Sequence, residues 1–206
     1  MLSALNLFQH NIGESSRLIA LFDFADQHFK NMDFSDLLRA HIVYSISAFD
    51  KLIHDFIIIG MIEIFLGRRN PTPKYLAEGI SLHIHNKILE ATIPPKEYYF
   101  EREIRRKLSY LSFIDPSKIA DGLSLIWEEK HKWQKIALIL NEDQDVIKKK
   151  LKTIATRRNQ IVHEADIDIS SGKKYPIDKY ETQDVANFII NCGKAIYENI
   201  KIEGQQ

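Results

Sequence analysis

The residues best suited to chemistry lie in one short stretch, Thr156-Arg157-Arg158-Asn159-Gln160-Ile161-Val162-His163-Glu164-Ala165-Asp166. A guanidinium is a planar, permanently charged fork that can grip two phosphate oxygens. An imidazole exchanges protons near neutral pH. An amide between them can orient either by hydrogen bonds. Arg158, Asn159 and His163 therefore suit phosphate chemistry, with His163 moving protons and Arg158 stabilising developing negative charge. The same residues admit a plainer reading, in which Arg158 pairs with a nearby acid and His163 merely closes a helix.

Helical geometry limits how one copy of this stretch could work. Asn159 and His163 are four apart and share a face. Arg158 and His163 are five apart, so about 140° separates them on an ideal helix. A kink, or a second copy packed across a two-fold axis, would bring them together.

The same stretch of chain is rich in cations. Lys148, Lys149, Lys150, Lys152 and Arg157 precede or adjoin the motif. They read either as a solvated face or as a rim contacting RNA phosphates, with Lys149, Lys150, Lys152 and Arg157 as the candidates. Asp50 and His54 form an i,i+4 pair that could support His163 if their helix lines the cleft. They lack the companions that a metal site requires, and no cofactor is expected. Arg102, Arg105, Arg106 and Lys107 are diluted by Glu101 and Glu103. Trp127, Trp133, Tyr98 and Tyr99 are expected in packing rather than base stacking. No glycine-rich phosphate loop, zinc spacing or Ser–His–Asp signature occurs.

The segments that must position these groups all show helical spacing. The expected helices run from Leu2 to Phe29, with a possible break at Gly13; from Asp36 to Leu66, capped by Ser35 and closed by Gly67; and from Lys74 to Glu90. Others follow from Lys96 to Phe113, and from Ser117 to Leu140 behind an Asp115-Pro116 start. Asn141 is expected to cap the helix that ends near Glu164, with Val146, Ile147, Leu151, Ile154, Ile161 and Val162 buried. The last helix runs from Thr182 to Ile200, with Cys192 on its apolar stripe. No sustained period-two alternation occurs, so the expectation is an all-α, single-domain helical bundle spanning 1–206.

Composition fits that picture. The chain has 206 residues, 45% of them hydrophobic, and balances 28 basic against 28 acidic residues. A global basic field is absent, so any polyanion must be met by a local patch. The single cysteine precludes an internal disulfide and suits a reducing cytoplasm. The most apolar run, Phe56–Leu66, is too short for a membrane span.

The stretch Arg158-Asn159-Gln160-Ile161-Val162-His163 resembles the Arg-x4-His motif of the HEPN superfamily. The helix from His41-Ile42-Val43-Tyr44 through Asp50 to His54-Asp55 is similar to the first core helix of the RiboL-PSP-type branch. The final helix after Tyr180–Val185 matches as well, so the resemblance covers about 35–200. It implies a dimerising bundle that brings two motif copies to a shared cleft, with extra helices of unassigned role between 74 and 140. Many relatives are metal-independent endoribonucleases in toxin–antitoxin, antiviral defence or RNA-processing systems. Others are inactive modules that bind a nucleotide or protein. The resemblance thus implies RNA as substrate, a homodimer, and an antitoxin or nucleotidyltransferase as possible partner.

Overall fold

The computed structural model describes residues 1–201, and these form an all-α fold with no β-strand among them. The helices are α1 (Leu2–Ser15), α2 (Arg17–His28), α3 (Asp36–Phe65), α4 (Pro73–Leu76), α5 (Leu82–Glu90), α6 (Lys96–Leu108), α7 (Pro116–Leu123), α8 (Lys132–Leu140), α9 (Gln144–His163) and α10 (Lys179–Ile200). The one extended pairing is an isolated antiparallel bridge between Ile167 and Lys174. No helix of the described residues is long and apolar enough to cross a membrane.

The long α3 is the axis. Phe49, Leu52, Ile53, Phe56, Ile57 and Met61 are buried along it, and one hydrophobic cluster joins it to α1, α6, α7, α8, α9 and α10. Helices α1 and α10 make the broadest contacts with α3, and α9 lies against it as well. The α9 backbone is thereby fixed by Ile147, Leu151 and Ile154, which are buried on its inner side.

Several boundaries depart from the sequence expectation for identifiable reasons. The first segment divides at Ser16, not at Gly13. Ser15 and Ser16 each donate a hydroxyl to a carbonyl three residues back, at 2.8 and 2.6 Å, competing with the helical ladder. The expected Lys74–Glu90 helix is two short ones, capped by Thr72 and Ser81. The expected Ser117–Leu140 helix is also two. Its break follows Ser124, whose hydroxyl bonds Ala120 O at 2.9 Å, while Gly122 stays helical. Helix α6 stops at Leu108, short of the expected Phe113.

Caps were partly as expected. Asp115 accepts from Ser117 N at 2.8 Å, ahead of Pro116 in the first helical position. Gly67 takes φ 71° and closes α3, with Arg68 N bonded to Glu63 O at 2.8 Å. Ser35 precedes α3 but makes no capping bond; its hydroxyl accepts from Arg39 Nη1 instead. Asn141 does not open α9. It is left-handed, at φ 50°, and ends α8, while Asp143 caps α9 through the amides of Asp145 and Val146. Asp178 caps α10 and starts it a turn early, at Lys179.

Candidate active site at the end of α9

The motif occupies the last turn and a half of α9. Arg158 lies four and seven residues beyond the buried Ile154 and Leu151, so it follows the inward stripe where the core thins. It is half-buried, and its Nη1 donates to Asn159 Oδ1 at 3.2 Å. Asn159 and His163 are both exposed. The His163 imidazole has no hydrogen-bond or ion-pair partner among the described residues. Within one chain, then, Arg158 leaves the helix on a different flank from His163, and its guanidinium turns to Asn159, which shares the His163 face.

Lys149, Lys152, Thr156, Asn159 and His163 follow one another at steps of three and four, and all are exposed. They form a single polar stripe down the outer face of α9, ending at the imidazole. Lys150 leaves this stripe and sits over the Phe188 ring of α10, 4.4 Å from its centroid. Val162, expected in the core, is 45% exposed beside His163, and Val146 is also exposed. Ile161 is partly buried against the core.

Arg157 points away from the outer stripe. Its Nη1 donates to Asp166 Oδ1 at 2.5 Å and its Nη2 to Pro176 O at 3.1 Å. Arg39, from the first turn of α3, donates from Nε to the other carboxylate oxygen at 2.6 Å. The Asp166 side chain is fully buried between the two guanidiniums. No local pattern in the sequence announces this cluster. Arg39 and Asp166 are 127 positions apart, and Asp166 reaches Arg157 only because Ala165 and Asp166 both adopt positive φ, at 52° and 58°.

Asp50 and His54 serve a different neighbour. Asp50 Oδ1 accepts from Phe113 N at 2.5 Å, and His54 Nε2 lies 3.2 Å from Leu111 O with its ring edge-on to Phe113. They secure the loop after α6, and none of their hydrogen bonds or ring contacts reaches His163. Trp133 is buried with Nε1 bonded to Pro116 O at 3.1 Å, which makes it packing. Burial pushes the Cys192 thiol up to about 12. Among the described residues no group of three His, Cys, Asp or Glu side chains converges as a metal site would require.

Residues 6–201 match the RiboL-PSP-HEPN family. The chain belongs to the RiboL-PSP-HEPN family. The match runs through the helices between Lys74 and Leu140 and reaches upstream into α1, further than the motif and its flanking helices alone implied. No curated protein and no solved structure matches the chain. In this HEPN chain the Arg-x4-His segment therefore has a defined setting: the solvent-facing end of a helix whose other face is fixed to the core.

Proposed function

We propose that this protein is a metal-independent endoribonuclease working as a homodimer, in which the ends of two α9 helices share one cleft. The observation that carries the reading is an unpartnered His163 imidazole, open to solvent, beside an Arg158–Asn159 pair in a HEPN chain. In the proposed reaction one His163 takes the proton from a ribose 2′-OH. The 2′ oxygen bonds to the adjacent phosphorus and the bond to the 5′ oxygen breaks. Water gives a proton to that leaving oxygen and takes up the one held by His163, so each working unit needs one imidazole and one guanidinium. Arg158 holds the non-bridging oxygens as their charge grows, and Asn159 orients the guanidinium it already touches. The products are a 2′,3′-cyclic phosphate and a 5′-hydroxyl.

Lys149 and Lys152, aligned with Asn159 and His163, suit the phosphates of a strand entering along α9. A toxin–antitoxin or phage-defence setting, with a protein partner that restrains the enzyme, fits such an activity.

The test is purified protein against RNA with and without EDTA, beside His163→Ala and Arg158→Ala. Cleavage that resists EDTA and is lost in both variants is expected. A 2′-deoxy sugar at the cut site should block it. Undiminished cleavage by both variants would overturn the assignment, leaving the motif as part of a binding module.

A further inference from the structure

The cluster of Arg39, Asp166 and Arg157 is built unlike the rest of the surface around it. Asp166 is 0% exposed, and the Arg39 side chain is 5% exposed. Removing three charges from water is costly, and an uneven trio of two cations and one anion stays only if its geometry is well satisfied. Here it is. Both carboxylate oxygens are engaged, Arg39 Nη2 reaches Tyr175 O at 2.6 Å and Arg157 Nη2 reaches Pro176 O at 3.1 Å, while Arg39 Nη1 donates to Ser35 Oγ at 2.6 Å and lies 3.4 Å from the exposed Asp36 carboxylate. The Arg157 guanidinium also lies over the Tyr175 ring.

The connections encircle the motif. Arg157 is the residue before Arg158, and Asp166 is the third residue after His163. The Asp166 side chain holds Arg157, and its backbone N–H donates to Gln160 O at 3.0 Å. Its carbonyl accepts from Tyr175 N at 2.8 Å, which joins the following hairpin. The turn carrying Asn159, Gln160 and His163 is thus closed into a ring of hydrogen bonds. Arg39 ties that ring to α3, the most deeply buried helix.

We infer that Asp166, gripped by Arg39 and Arg157, is a positioning residue that sets the direction in which Arg158 and His163 leave α9. The inference rests on the nuclease reading of those two side chains. Catalytic groups displaced by about 1 Å can lose on the order of 100-fold in rate, so such a brace acts on turnover more than on substrate binding. A purely structural role would instead lower the melting temperature and leave the folded enzyme's turnover intact.

Asp166→Asn is the informative variant. Asparagine accepts the left-handed backbone at this position and keeps the shape while removing the charge. Expected is a circular-dichroism spectrum like wild type, a turnover number on RNA reduced at least about tenfold, and a KM little changed. The His163 Cε1–H signal in a ¹H–¹³C spectrum, assigned by its loss in His163→Gln, should move while those of His83 and His85 on α5 stay. Should Asp166→Asn fail to fold, Arg157→Lys reads the same quantities through the less buried arm of the clamp. Folded variants with wild-type turnover and an unmoved His163 signal would overturn the inference. If wild-type protein does not cleave RNA at all, the nuclease reading fails, and the His163 signal alone decides the clamp.

Discussion

Mixing two inactive variants tests the shared cleft directly. Arg158 and His163 depart from α9 about 140° apart, which favours drawing the two groups at one phosphate from different copies. In a two-fold dimer each working pair would take Arg158 from one copy and His163 from the other. Arg158→Ala should lower turnover by about 10²–10³, as loss of a charge-stabilising donor does. His163→Ala should lower it by about 10²–10⁴, as loss of a proton-transfer group does. Random exchange of the two variants makes about half of the dimers mixed, and each mixed dimer keeps one complete pair of two, so about a quarter of wild-type activity should return. That is at least about 25-fold above the better single variant if it retains 1%. The assay is RNA cleavage by differently tagged variants mixed under exchanging conditions, with native mass spectrometry counting mixed dimers. Activity that stays at the single-variant level while mixed dimers are present would refute pairing between copies.

Three further outcomes follow from the structure. His41 is buried, with Nδ1 2.9 Å from Ser15 Oγ, and burial lowers its pKa below the ordinary 6.5. Protonation then favours the unfolded chain, so stability contributed by neutral His41 is present above pH 6.5 and declines as pH falls toward the depressed folded value. Urea melts between pH 5 and 8 should show this slope, reduced in His41→Gln. Gly122→Ala would place a Cβ 2.5 Å from Phe113 Cε1 and 2.7 Å from Ile57 Cδ1, both in the core. Overpacking costs about 1–3 kcal/mol against a helix-propensity gain of about 1, so chemical denaturation should show a net loss of up to about 2 kcal/mol. Lys149→Ala and Lys152→Ala should each flatten the salt dependence of RNA binding by roughly 0.7 in log–log slope, whereas Lys150→Ala should do so less, its ammonium lying over Phe188.

The helical character of the chain, the burial of Cys192 and the end of α9 near Glu164 were legible because apolar spacing, caps and breakers agree there. The Arg-x4-His motif was legible for the same reason, being contiguous and carried on a periodic helix. The divisions at 77–81 and 124–131 were not, since leucine and isoleucine stripes continue on both sides and only the fold decides where the chain turns. Asn141 misled because a residue that tolerates left-handed backbone is as good at ending a helix as at starting one. In the sequence Arg157 is one more cation in a basic run. Its partner lies nine residues on and is itself the second of two residues of positive φ, and the second arginine comes from α3; spacing carries no trace of such a meeting.

His163 is the final helical residue of α9, and terminal turns fray at far lower cost than a whole domain melts. Here the clamp on Asp166 holds that end to α3, so warming should silence any chemistry at this position when the clamp opens. The temperature at which cleavage stops would report the strength of that clamp, and Asp166→Asn should lower it more than it lowers the temperature at which overall helicity is lost.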